Sequence, residues 1–254
     1  MSNEGRPLTA RSVIASTLLG THPPRLPVAL LVRSCELFGI KENAARVALS
    51  RMVAAGELDV ADGWYSLLGK LRQRQDRQMQ SRRGRSEESP WDGTWLMVVV
   101  GAQARSATER ATLRGALRHL RFAEWREGLW LRPDTLSTAD RTDIEFPLCT
   151  LVPGARPPDA KGLARFLFSI DEWVVTANEL LGDLDALSRL LTTDDATALT
   201  DGFVKNAAVL RHLQADPLLP RELLPRSWPG ARLRTRYERF DEVFLSIWQE
   251  HLHR

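Results

Sequence analysis

The chain of 254 residues is long enough to form two or three compact units, each with its own core. A hydrophobic share of 43% and a charged share of 26% are typical of a soluble globular protein, and no apolar run reaches the ~20 residues that span a bilayer. The net charge of +3 is too small to indicate a nucleic-acid partner, because the distribution of charge matters more than its sum.

The first seventy residues predict three helices followed by a β-hairpin. Apolar residues recur at helical spacing over 9–19, 28–39 and 41–56. The segment "ELDVADGWYSLL" reads as two short strands joined by an Asp-Gly turn, and "THPPRLP" reads as a helix-breaking loop. Three helices and a hairpin in this order are typical of a winged helix-turn-helix DNA-binding domain, which we assign to residues 1–70.

The third predicted helix, "KENAARVALSRMVAAG", has one face of short, polar and cationic side chains. On a helical wheel, one side of this helix faces inward and comprises Ala45, Ala48, Leu49, Met52 and Val53. The opposite face and the N-terminal end carry the predicted DNA contacts Lys41, Asn43, Arg46, Val47, Ser50 and Arg51. Arginine can offer paired donors to guanine, Asn can bridge the edge of adenine, and Val can touch a thymine methyl group. The alternative is the solvated face of an ordinary amphipathic helix.

Residues 71–92 are rich in arginine and lack apolar periodicity, which favours a basic linker that can be helical in its first part. The alternative to a solvated spacer is an arm that binds DNA. We expect phosphate contacts from Lys41, from Arg33 or from arginines of this linker. The tip of the predicted hairpin contains Asp59 and Asp62 and no arginine, so it is poorly suited to phosphates.

The rest of the chain predicts two further domains, which make the fold class α+β and mostly α. Over 93–153, a strand, a helix and further strands suggest a central domain of ferredoxin-like type, with its last strand at "IEFPLCTLV". Over 154–254 we expect a helical C-terminal domain. Its predicted helices cover 159–169, 171–191, 194–215 and 235–252. The intervening "DPLLPRELLPRSWPG" is expected to be extended but ordered, because it is apolar.

The sequence gives no sign of catalysis, a metal site or a bound cofactor. A metal-dependent nuclease on a ferredoxin-like domain needs a carboxylate near the end of the first strand, where this chain has Gly101, Ala102 and Gln103. The five histidines and two cysteines lack the spacing of metal ligands, so we expect a protein that is not an enzyme. The N-terminus lacks a secretory signal, so we expect a cytoplasmic protein.

One pair of residues in the central segment suggests a ligand site. Trp130 and Arg132, in "LWLRP", could line a pocket for an aromatic or anionic ligand. The alternative is that Trp130, like other tryptophans of the chain, belongs to a core.

Four stretches of the sequence resemble the phenylacetate-degradation repressor (PaaX) family. They are "ENAARVALSRMVAAGEL", "WDGTWLMVVV", "LRHLRFAEWREGLWLRP" and "DPLLPRELLPRSWPGAR", in the family's order. The resemblance implies a homodimeric transcriptional regulator, usually a repressor, that a small effector releases from double-stranded operator DNA. It implies DNA contacts at Asn43, Arg46, Ser50 and Arg51.

The same resemblance bears on the effector, which in one branch of the family is an aryl-acetyl-coenzyme A thioester. The family's polar stretch before Asp-Pro-Leu-Leu-Pro is replaced here by "AAVLRHLQ", in which only Arg211 is retained, so Arg211 is a candidate effector contact. We therefore expect an acyl-coenzyme A thioester or an aromatic acid as effector. A metal-dependent nuclease, and a family member that binds DNA without an effector, are the alternative functions.

Overall fold

The computed structural model describes residues 8–84, 91–101, 106–136, 149–191 and 196–253. The chain is mostly helical, with two small antiparallel sheets, so the predicted α+β class is confirmed. It forms two compact units. Unit 1 comprises 1–84, 177–215 and 230–254, and unit 2 comprises 85–176 and 216–229. The predicted C-terminal domain, 154–254, thus contributes to both units.

Unit 1 begins with three helices and a three-stranded sheet. The elements are α1 (Ala10–Leu19), β1 (Arg25–Pro27), α2 (Val28–Glu36), α3 (Glu42–Ala54), β2 (Leu58–Ala61) and β3 (Trp64–Leu67). Thr9 begins α1 through a capping box with Ser12. The predicted helices and the β2–β3 hairpin are present, but the loop expected at 21–27 contains β1. This strand adds to the hairpin in the order β1-β3-β2, with Leu26 opposite Tyr65.

The next element lies where the sequence predicts a basic linker with a helical start. Helix α4 (Gly69–Arg83) buries Leu71, Gln75, Gln78 and Ser81, which recur at helical spacing on one side. The amide nitrogen of Gln75 donates to the carbonyls of Leu19 and Thr21, at 3.2 and 3.3 Å, and so satisfies groups at the end of α1. The stretch up to Arg83 is therefore a packed helix of unit 1 rather than a solvated spacer. Residues 85–90 lie outside the described part of the chain.

Three C-terminal helices provide the remainder of unit 1. They are the second part of α7 (Ile170–Leu190), α8 (Ala196–Gln214) and α9 (Gly230–His253). One stripe of α9 is buried and consists of Leu233, Tyr237, Phe240, Phe244, Trp248 and Leu252. Because Leu233 extends this stripe toward the N-terminus, α9 begins at 230 instead of the predicted 235.

Unit 2 is built on a four-stranded sheet. Its elements are β4 (Trp95–Val100), α5 (Ala107–His119), β5 (Ala123–Arg126), β6 (Leu129–Pro133), β7 (Cys149–Ala155), α6 (Ala160–Leu167) and the start of α7. The strand order is β5-β6-β4-β7, and every neighbouring pair is antiparallel. Of the predicted strand at 144–152, the part before Cys149 lies outside the described residues.

Alternate residues of β4 enter two different cores of unit 2. Leu96 and Val98 pack with Leu117 of α5. Trp95 packs with residues of α6 and of the proline-rich segment 216–229, which contributes buried Leu219 and Leu223. Trp228 of that segment stacks on Trp173, with ring centroids 4.2 Å apart. The expectation that this segment is ordered is therefore confirmed.

Candidate nucleic-acid interface

Helix α3 begins after Lys41, packs through small and apolar residues, and ends just before a glycine. Lys41 is the N-cap and makes no side-chain capping bond, while Glu42 provides a negative charge in the first turn. After the helix ends, Gly56 adopts a φ of +67°, a left-handed conformation that glycine reaches without a steric penalty. Ala45 and Leu49 are buried on the side that packs against α1 and α2.

The predicted contact face of α3 lies in solvent. All six predicted residues are exposed: Lys41, Asn43, Arg46, Val47, Ser50 and Arg51. Val47 is 43% exposed, unusually for a large apolar side chain in the middle of a helix. Arg46 pairs with Glu42 one turn earlier at 2.7 Å, in an open ion pair whose side chains are both 55% exposed. A pair so exposed is weak and can be exchanged for another acceptor.

The hairpin beside α3 has an acidic tip and a neighbouring cation that sequence reasoning missed. Asp62 and Gly63 both have positive φ, 51° and 75°, as a tight two-residue hairpin turn requires. Arg25 of β1 is exposed and lies 4.9 Å from the ring centroid of Trp64 in β3. Only the pairing of β1 with β3 brings this cation to the sheet, so no local signal in the sequence could have indicated it.

Two of the arginines that we expected to contact phosphates form hydrogen bonds or ion pairs within unit 1. Arg33 donates to the carbonyl oxygen of Leu252 at 2.8 Å. Arg82 of the predicted linker forms a 2.7 Å ion pair with buried Asp241. These contacts hold α2 and α4 to α9, and phosphate contacts from Arg33 or from arginines of the linker stay a prediction. Four cations of α4 are exposed: Lys70, Arg72, Arg77 and Arg83.

The predicted effector residues fall in different units. Trp130 is buried in the core of unit 2 with Leu96 and Phe122. Arg132 is 8% exposed and donates to the carbonyls of Leu120 and Pro133 and to the Thr135 hydroxyl. These bonds give Arg132 a role in holding the sheet to the turn after α5. Arg211 lies exposed on α8 in unit 1.

The described ranges contain no group of three or more His, Cys, Asp or Glu residues that could hold a metal ion. Ala102 and Gln103, where a nuclease would need its carboxylate, lie outside those ranges. Within the same described residues, no helix is both long enough and apolar enough to cross a bilayer.

Comparison with known proteins identifies the family. Residues 9–71 match the model of a PaaX-like protein, residues 88–145 that of the PaaX protein central Cas2-like domain, and residues 169–254 that of the PaaX-like protein C-terminal domain. The chain belongs to the PaaX-like family. Members of this family are regulators, and the match supports a transcriptional regulator.

A solved structure extends the similarity over the full length of the PaaX-like chain. It is described as uncharacterized protein Rv0674 from Mycobacterium tuberculosis and is 38% identical in sequence. The match covers 96% of this chain and 98% of that one, with a TM-score of 0.70. Among curated proteins, no match was found.

Proposed function

We propose that this PaaX-like protein is a DNA-binding repressor that inserts α3 into the major groove of its operator. The observation that carries the proposal is the outer face of α3, where Asn43, Arg46 and Arg51 surround exposed Val47 and no described residue of unit 1 covers them. Short side chains between the polar ones let the helix approach the base edges closely.

The surrounding architecture supports a winged helix-turn-helix. Helices α1, α2 and α3 are followed by the β2–β3 hairpin, and β1 joins that hairpin as a third strand. In such domains the last helix enters the groove and the hairpin lies beside it. In unit 2, the strand order β5-β6-β4-β7 with α5 after the first strand agrees with a ferredoxin-like domain.

The residues of this interface divide into base and phosphate contacts. Asn43, Arg46, Ser50 and Arg51 point away from the core of unit 1 and would read base edges, and Val47 would meet a thymine methyl group. Lys41, at the N-terminal end of α3, would contact the phosphates. Arg25, beside the acidic hairpin tip, replaces the cation that the tip lacks.

A homodimer would place two copies of α3 on two operator half-sites. Half-sites of dimeric repressors lie about one helical turn of DNA apart, ~34 Å, or a multiple of it, because the two-fold axis of the protein is matched to the DNA. A small-molecule effector that changes this separation would release the DNA. Light scattering of the free protein and of its DNA complex measures both the dimer and its stoichiometry.

The test of the function is a footprint on the DNA that flanks the protein's own gene. We expect protection of a two-part site without strand cleavage, in buffers that contain Mg²⁺ or Mn²⁺. Cleavage that depends on the metal would instead support the nuclease, and the absence of any protected site would reject the repressor. Protection that no acyl-coenzyme A thioester or aromatic acid relieves would favour a DNA-binding protein without an effector.

A further inference from the structure

Unit 1 contains a cavity of about 260 Å³. It lies between α1, α2, α4, α8 and α9, with Leu26 of β1 also in its wall, and it is partly open to solvent. Its walls are mainly apolar. One wall is aromatic: Trp248 stacks on Phe203 and on Phe244, with ring centroids 5.1 and 5.5 Å away. At roughly 30 Å³ for each water-sized group, the cavity holds about nine such groups. This size suits a compound with a single ring and a short side chain.

The polar end of the cavity carries a positive charge that no anion among the described residues balances. Arg74 of α4 lines the cavity, and the residues that the structure describes offer it no hydrogen bond or ion pair. Burial, together with the charges of Arg211, Arg77 and Arg11, lowers the pKa of the Arg74 guanidinium. A half-buried cation among like charges is a costly arrangement, and a bound anion would relieve it.

A second polar side chain stands one turn away on the same face of α4. Gln78 is 6% exposed, lines the cavity, and has no side-chain hydrogen bond within the described part of the chain. Because Gln78 lines the cavity, its amide can donate a hydrogen bond to a ligand there. The other charged group of the wall, Asp241, is already neutralised, because it accepts hydrogen bonds from Arg82 and Asn206, both at 2.7 Å.

We propose that this cavity binds a small carboxylic acid with an aromatic or similarly compact apolar body, and that this acid is the effector. The carboxylate would pair with the Arg74 guanidinium and accept a hydrogen bond from the Gln78 amide, while the apolar body would lie against Phe203, Phe244 and Trp248. The volume of the cavity suits the acid alone, and most of a coenzyme A thioester would have to lie outside it. The regulatory part of the inference rests on the proposed function, whereas binding of the acid does not.

The position of the cavity explains how occupancy would reach the DNA-binding face. Leu30 of α2 and Leu252 of α9 both line the cavity, and Arg33 of α2 donates to the Leu252 carbonyl. An acid between these helices contacts α9 on one side and the three-helix region that carries α3 on the other. If the acid binds one arrangement of these helices more tightly, it shifts the population toward that arrangement.

The test of binding is thermal unfolding of the full chain with benzoate, 3-phenylpropanoate, indole-3-acetate and hexanoate at millimolar concentration. At least one acid is expected to raise Tm, by roughly 5 °C at about 100 times its Kd. Its uncharged amide should raise Tm much less. Arg74→Met should abolish the shift without lowering the Tm of the free protein, because it removes an unbalanced charge. Arg77→Met, an exposed arginine on the same helix, is the matched control and should keep the shift.

Each alternative result overturns a defined part of the inference. A lack of stabilisation by all four acids, or an equal shift in Arg74→Met, rejects the site. Stabilisation by 3-phenylpropanoyl-coenzyme A but not by the free acid rejects the class of ligand. If an acid binds but leaves operator affinity unchanged, the regulatory link is wrong. If an acid binds and no DNA binds under any condition, the proposed repressor fails while the site stands.

Discussion

Replacing Arg82 by Met should destabilise unit 1, because Asp241 would remain buried without its cation. The side chain of Asp241 is 5% exposed and that of Arg82 is 27% exposed, and their 2.7 Å ion pair joins α4 to α9. Removing one partner of a fully buried pair costs about 3–5 kcal/mol. Asn206 still donates to Asp241 at 2.7 Å, and water can reach the space left by Arg82. We therefore expect Arg82→Met to cost about 2–3 kcal/mol.

The stacking of Arg82 on Tyr237 adds a smaller term. The guanidinium carbon lies 5.0 Å from the ring centroid, a cation–π contact that contributes about 0.5–1 kcal/mol. Urea unfolding at neutral pH measures the total cost, and Arg83→Met, an exposed neighbour, should change stability by less than about 0.5 kcal/mol.

A second variant separates the loss of the ion pair from the loss of packing. In Arg82→Met with Asp241→Asn, the charge is gone and the amide oxygen can still accept a hydrogen bond from Asn206. This double variant should be more stable than Arg82→Met alone. If Arg82→Met is no less stable than Arg83→Met, the ion pair does not hold α4 to α9 and the reasoning is refuted.

Three further predictions concern other parts of the chain. Burial raises the pKa of the Cys35 thiol from 9.0 to about 11, so the folded state holds this proton more tightly than the unfolded state does. The stability of the wild type should therefore fall by about 2–3 kcal/mol relative to Cys35→Ala between pH 9 and 11. Stability curves of the two proteins that run parallel over this pH range would contradict the prediction. Trp228→Ala removes the stack on Trp173 and should destabilise unit 2 by about 2–3 kcal/mol in urea unfolding, whereas an unchanged midpoint would show that the stack is dispensable. Asp62→Asn keeps a residue that tolerates positive φ and removes a negative charge from the hairpin tip. The affinity for the operator should therefore rise about 2–5-fold at low salt and less at high salt. Equal affinities of the variant and the wild type at low salt would show that the hairpin lies away from the DNA.

The sequence was informative wherever structure depends on local signals. The Asp-Gly pair at 62–63 correctly indicated the hairpin. The wheel of α3 also separated its buried side from its exposed side, because that helix packs on one side only. These features need no knowledge of distant parts of the chain.

Features that depend on distant contacts were missed. Strand β1 contains only Arg25, Leu26 and Pro27 and exists because it pairs with β3, which lies about forty residues later. Helix α4 buries polar residues such as Gln75, so hydrophobic periodicity did not reveal its packed side. The sequence also could not show which arginines find internal partners, as Arg33 does at the carbonyl of Leu252.

The exposed face of α3 could be predicted because it belongs to a single helix, whereas the cavity could not because it combines several elements. The contact face belongs to one helix, and its residues follow a single periodic pattern. The cavity combines side chains from five helices, and its polar end, Arg74, lay in a segment that was interpreted as a linker. Trp130 and Arg132 lie two positions apart in the sequence and were therefore easier to recognise as candidate effector residues, although Trp130 is a core residue of unit 2.

The measurement that tests the central claim most directly is the affinity of Arg46→Ala for the operator. Arg118→Ala, an exposed helical arginine of unit 2, provides the matched loss of charge. A bidentate contact to guanine contributes about 1–3 kcal/mol, so fluorescence anisotropy should show a loss of roughly 5- to 150-fold for Arg46→Ala on the operator. Its affinity for scrambled DNA should change little, and its stability should be nearly that of wild type, because the Glu42 pair is exposed. Equal operator affinities for Arg46→Ala, Arg118→Ala and wild type would contradict the account.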